Sequence, residues 1–211
     1  MNCRDSLCLI DTANEMVYPN KNCNPYIYEN NNSICHELCK EIIEMYENKD
    51  TIDKNQFSIP KNNKKWCKIE EFLYKELHTN LFKYIDQINC SHYTSGLHEN
   101  MKNSLFNNAT LEIDKFLINH YERNTGQHSY TDDFQIDYKE SKYRVITFIW
   151  YLNTIDEGGE IEFLDSYKIK STIGKLVLFP SNWCFQYRGL MPISDSKYII
   201  TGWFYIRNDS L

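Results

Sequence analysis

Tyr143-Arg-Val-Ile-Thr-Phe-Ile-Trp-Tyr-Leu-Asn153, followed by Asp156-Glu-Gly-Gly-Glu-Ile-Glu-Phe163, is the longest β-branched and aromatic run in the chain. It predicts a central strand. The run is apolar almost throughout instead of alternating, so both of its faces should be covered. Glu157-Gly158-Gly159 then supplies the positive-φ positions of a tight turn into a short strand over 160–163. Further strand-like runs lie at 175–180, 183–187 and 197–207, separated by segments carrying Gly, Pro, Ser or Asp. Short strands with turn signals and no helical period point to an all-β sandwich or barrel.

Upstream the period changes. Residues 1–32 are polar and Asn-rich and read as an arm laid on the surface. Ser33 is placed to cap a helix reaching about Asn48, with Ile34, Leu38, Ile42 and Met45 along one side. A polar connection follows, with Pro60 and a short strand over 56–59. Between about Lys65 and Asn89, Ile69, Leu73, Leu77, Leu81, Tyr84 and Ile88 recur at spacings of three and four, the pattern of a bracing helix with one apolar stripe. His78 lies beside that stripe and reads as a surface or boundary histidine. His92 and His98 fall in a Ser/Gly/Asn-rich loop. A loosely alternating strand over 113–121 and a turn at 122–126 open the β half near residue 111. The layout is α+β: an arm (1–32), a helical bracing layer (33–110) and a β core (111–211).

The totals limit the function classes. A chain of 211 residues can bury a sizeable core in one domain, and 15% aromatic content with 16 Tyr suits a β-rich protein. A net charge of −6 without a basic block disfavours nucleic acid. No apolar run approaches the ~20 residues of a membrane span. The eight cysteines have no Cys-x-x-Cys pair, and charges come early at the N-terminus, where a secretory segment would be apolar. Reduced thiols and a cytoplasmic location are therefore expected. Cys184 reads as a small buried strand residue.

From Phe116 to Trp203 the order of features resembles the prolyl-4-hydroxylase-like branch of the 2-oxoglutarate/Fe(II)-dependent oxygenases. The residues that carry the resemblance are Tyr121, Gly126, Arg144-Val-Ile-Thr147, Tyr151-Leu-Asn153, Gly158-Gly159, Phe163, Gly174, Phe179-Pro180, Arg188-Gly189 and Lys197-Tyr-Ile-Ile-Thr-Gly-Trp203. The helices over 33–48 and 65–89 also fall where that branch carries its bracing helices. The resemblance implies a double-stranded β-helix, a jelly-roll or cupin-like barrel with the site in its mouth. In such enzymes two His and one carboxylate hold Fe(II) beside 2-oxoglutarate.

Aligned by the flanking blocks, the metal positions are Thr131, Asp133 and Tyr187, so the carboxylate is kept and both imidazoles are replaced. The histidines are 36, 78, 92, 98, 120 and 128, and none follows residue 128. A rebuilt site drawing on His128, Asp132 and Asp133 stays open, although strand alternation sets Asp132 opposite to Thr131 and Asp133. The co-substrate positions keep more of the pattern. Lys197 stands where the family's basic residue pairs the distal carboxylate of 2-oxoglutarate, Tyr121 and Thr147 match positions that hydrogen-bond it, and Trp203 matches an aromatic wall. A buried lysine needs an anion or an internal ion pair, and Lys197 leaves both open. Thus 2-oxoglutarate keeps its lysine, whereas Fe(II) loses its imidazoles.

Three functions follow as expectations. The first is a pseudoenzyme whose barrel serves binding or structure. The second is an active protein or peptide hydroxylase with an atypical metal site. The third is an assembly component. A protein or peptide partner is expected at the barrel mouth, where Trp183, Phe185, Arg188 and the loop with Pro192 should lie.

Overall fold

The computed structural model describes residues 24–48, 56–60, 63–91, 111–113, 115–126, 129–164 and 166–207. The expectations for His92, His98, His128 and most of the N-terminal arm fall outside them.

Eleven strands and two long helices make up the described fold. The strands are β1 (Tyr28–Asn30), β2 (Gln56–Ser58), β3 (Leu111–Ile113), β4 (Leu117–Tyr121), β5 (Ile136–Asp137), β6 (Lys142–Tyr151), β7 (Ile161–Phe163), β8 (Lys168–Ile169), β9 (Leu176–Pro180), β10 (Tyr187–Gly189) and β11 (Lys197–Arg207). The helices are α1 (His36–Glu47) and α2 (Lys64–Ser91). The large sheet runs β1-β9-β6-β11-β4-β2, with β3 beside β11 and β5 beside β6, and the small sheet runs β10-β7-β8. All pairings are antiparallel. Together they form a double-stranded β-helix, open at its edges and braced by N-terminal helices.

The central strand explains this architecture. On β6, Ile146, Phe148 and Trp150 join the core under the helices, while Ile149 and Tyr151 face the small sheet with Ile161, Phe163, Ile169, Val177, Phe179 and Ile199. Strand alternation thus supplies two cores from one strand, which is why it reads as apolar throughout. Gly202 on β11 completes the helix-side core. A Cβ there would stand 2.4 Å from the Phe148 ring, so the ring occupies the space a side chain would need.

Several sequence expectations are corrected. The described end of the arm is not merely laid on the surface: β1 is an edge strand of the large sheet, pairing Tyr28 with Leu178. Ser33 does not cap α1. Cys35 is the N-cap residue, with no side-chain cap bond, and the buried side of α1 is Cys39, Ile42 and Tyr46. Ser33 instead donates to Glu76 and accepts from the Trp150 indole at 3.0 Å, a buried partner that outcompetes capping.

The strand expected over 113–121 is split. Ile113 pairs with Phe204 in β3 and Leu117 with Thr201 in β4, as two separate strands against β11. The run 183–187 is not one strand either. Trp183–Phe185 is a 3₁₀ turn because the Asn182 side chain accepts the Cys184 N–H, and pairing begins only at Tyr187. Cys184 is accordingly exposed, not buried. Among the described residues, no helix is long and apolar enough to cross a membrane.

Candidate functional site

Strand register sets the inward face of the large sheet. Tyr121 pairs with Lys197, and Thr147 lies between Trp203 on β11 and Phe179 on β9. The small sheet contributes Tyr187, whose ring meets Phe179 at 5.0 Å and Phe163 at 6.1 Å. Thr131 lies directly across from Tyr187 in an isolated antiparallel bridge, each N–H donating to the other's carbonyl at 2.8 Å. Asp133, with φ of 54°, turns its carboxylate inward, and Oδ2 accepts from the Tyr187 hydroxyl at 2.6 Å and from Thr147 Oγ1 at 3.3 Å. Thr147 Oγ1 is also 2.7 Å from Ser181 Oγ. The structure therefore brings Thr131, Asp133, Tyr187 and Thr147 together.

This neighbourhood shifts the phenols. Burial first, and the Asp133 carboxylate second, push the Tyr187 hydroxyl well above its ordinary value, and the same two causes raise Tyr121. Both remain neutral around neutral pH.

Lys197 lies at the other end of the same face. It is 3% exposed, donates to the Gly159 carbonyl at 3.0 Å and lies 5.2 Å from the Tyr121 ring centroid. Among the described residues no carboxylate forms an ion pair with it. Burial pulls its pKa down to about 8, while Glu160 acts weakly the other way. Of the two alternatives left by the sequence, the internal salt bridge is not formed among the described residues. Tyr151, one residue pair further along the face, is fully buried and its hydroxyl has no partner among the described residues.

Trp203 lies directly across from Thr147. Its ring carries the Arg144 guanidinium at 3.6 Å, and its indole N–H is buried without a partner among the described residues. Arg188 is engaged within the small sheet. It pairs with Glu162, Nε to Oε2 at 2.7 Å, in a cluster that includes Lys168 and Tyr130. With Tyr187 pointing inward, its neighbour on the strand must point outward. Trp183, 75% exposed, does lie on the surface.

The sequence reading missed Ser181, Tyr151 and the Gly159 carbonyl. Tyr151 shares the parity of Thr147 and Ile149 on β6, so alternation alone could have found it. Ser181 and the carbonyl depend on register between strands that are far apart in sequence, which leaves no local signal.

A metal ion needs several donors converging. Among the described residues, no three His, Cys, Asp or Glu side chains are grouped in that way.

The fold is a double-stranded β-helix with its inward-facing polar set between the two sheets. Residues 116–205 match the family model of the 2OG-Fe(II) oxygenase superfamily, so the barrel resembles that superfamily. Among solved structures, the viral collagen prolyl hydroxylase vCPH of Paramecium Bursaria Chlorella virus-1, in its 2OG complex, aligns with a TM-score of 0.61 at 16% identity, covering 87% of this chain and 97% of that one. A prolyl-4-hydroxylase of Pseudomonas putida aligns at 0.55 and 16% identity, over 87% and 93% of the two chains. A prolyl hydroxylase of Trichoplax adhaerens, in complex with a hypoxia inducible factor peptide fragment, aligns at 0.59 and 16% identity, over 86% and 84%. At such identities the likeness is one of fold. No curated protein matches the chain.

Proposed function

We propose that this chain is a prolyl-4-hydroxylase-like oxygenase domain that has lost its iron ligands and works as a binding or structural module. One observation carries the reading: the Asp133 carboxylate is engaged by the Tyr187 phenol at 2.6 Å, and the residue across from Tyr187 is a threonine. One carboxylate with neutral hydroxyls is a poor donor set for Fe(II), which favours two imidazoles and a carboxylate on one face. The described residues do not fit the metal.

The residues at the other end of the face fit an anion better. Among the described residues Lys197 has a single carbonyl partner and an aromatic ring beside it, so its ammonium keeps donors for a carboxylate such as one end of 2-oxoglutarate. A protein or peptide at the barrel mouth belongs to the same reading, with Trp183 and Phe134, 75% and 52% exposed, as its apolar contacts.

The test is calorimetric titration of 2-oxoglutarate into protein purified without oxygen, with and without Fe(II) or Mn(II). Metal-independent binding that is lost in Lys197→Met supports the proposal. Stoichiometric metal binding strengthened by 2-oxoglutarate, with turnover abolished by Asp133→Ala, would replace it with the active hydroxylase.

A further inference from the structure

Thr131, Asp133 and Tyr187 converge, yet they are bonded to one another instead of being held apart around a ligand. The hydrogen bonds converge on the Asp133 carboxylate. Tyr187 donates to Asp133 Oδ2 at 2.6 Å. Thr147 donates to the same oxygen at 3.3 Å, so in its 2.7 Å contact with Ser181 the serine must donate, because a threonine hydroxyl has one proton. Tyr187 belongs to the small sheet, Thr147 to β6 of the large sheet, and Ser181 follows β9. The chain of bonds therefore crosses from one sheet to the other, with a charged acceptor in its middle. A phenol donating to a carboxylate is among the stronger side-chain hydrogen bonds.

Resting on the proposed loss of the iron ligands, we infer that Tyr187–Asp133–Thr147–Ser181 is a metal-free clasp that joins the two sheets at the barrel mouth, with the Tyr187 hydroxyl in the role of a cross-linking cation. A metal held by side chains from several strands ties those strands together and adds its binding energy to the fold. Here the tie is covalently part of the chain and present without any ligand. The backbone geometry needed for a metal persists beneath it. Thr131 and Tyr187 are directly opposed, so their side chains leave the same side of the bridge about 5 Å apart, and the side chain of residue 187 already touches Asp133.

Two variants test the clasp. Tyr187→Phe keeps the ring that packs on Phe179 and removes only the hydroxyl. Its melting temperature should fall by roughly 3–10 °C, the size expected for a hydrogen bond to a charged group in a chain of this length. In a double-mutant cycle with Asp133→Asn, the two losses should be less than additive. Thr131→His with Tyr187→His should acquire one equivalent of Co(II) or Mn(II), followed by the Co(II) visible spectrum, and lose it on adding Asp133→Ala. Should the double variant fail to fold, the Tyr187→Phe melt decides alone. A Tyr187→Phe melt within 1 °C of the parent overturns the clasp, as does a folded double variant that takes no metal. Metal binding by the unaltered protein overturns the proposed function as well, so the two failures are told apart.

Discussion

Lys197 is the residue whose environment demands most explanation. Burial lowers its pKa to about 8 from 10.5, so between those values the unfolded chain holds a proton that the folded chain has released. Stability contributed by this group must rise with pH across that window, and below it the cost of the buried charge is fully present. Lys197→Met should therefore be more stable than the parent at pH 7, by up to about 3 kcal/mol, and the advantage should vanish above pH ~10.5. Thermal melts at the two pH values check this. Binding of a carboxylate ligand has the opposite dependence, weakening as pH rises through about 8, because it requires the ammonium.

A second residue-scale contrast concerns thiols. Burial raises Cys39 to about 12, whereas Cys184 is exposed in its 3₁₀ turn. Iodoacetamide at pH 8 should label Cys184 and spare Cys39, as read by peptide mass mapping.

At this scale the positions of Thr131, Asp133, Tyr187 and Lys197 were legible because each stands at a fixed offset from a recognisable block. The outward direction of Arg188 follows from alternation once Tyr187 points inward. The partners Ser181 and Gly159 were not legible, since they meet the site only through strand register.

Among the elements, α2 shows what periodicity can and cannot reveal. Its stripe was readable throughout, and Leu73, Leu77 and Tyr84 are buried to within 1%. Leu77→Ala should cost about 2–5 kcal/mol, measured by denaturant unfolding. The polar residue Asn80 left no such signal, yet it is fully buried and accepts from Tyr28 and Asn30 at 2.8 Å while donating to Glu76. Through Ser33 and Trp150 the same network reaches β6, so α2 is bonded to both the edge and the centre of the large sheet. Asn80→Ala should destabilise by ~2–3 kcal/mol because it strands buried polar groups. Lys75→Ala, which breaks the exposed pair with Glu71, should cost about 0.5 kcal/mol or less. Ser33 illustrates why the cap was misread: its neighbours in sequence suggest a helix start, while its partners in space lie on α2 and β6.

For the whole molecule, the two faces of β6 explain both the bracing helices and the barrel, and the barrel is the part that the oxygenase family model matches, over residues 116–205. In the proposed reading Thr131 and Tyr187 stand where imidazoles would complete a metal site, and the Asp133 carboxylate accepts from Tyr187 of the small sheet and Thr147 of the large one. The central claim is that the barrel stands and binds without iron. Its most direct test is metal analysis of protein purified without oxygen, followed by Fe(II) and Mn(II) titration with and without 2-oxoglutarate. No stoichiometric metal and no heat of metal binding are expected under either condition. One tightly held equivalent, strengthened by 2-oxoglutarate, would contradict that claim.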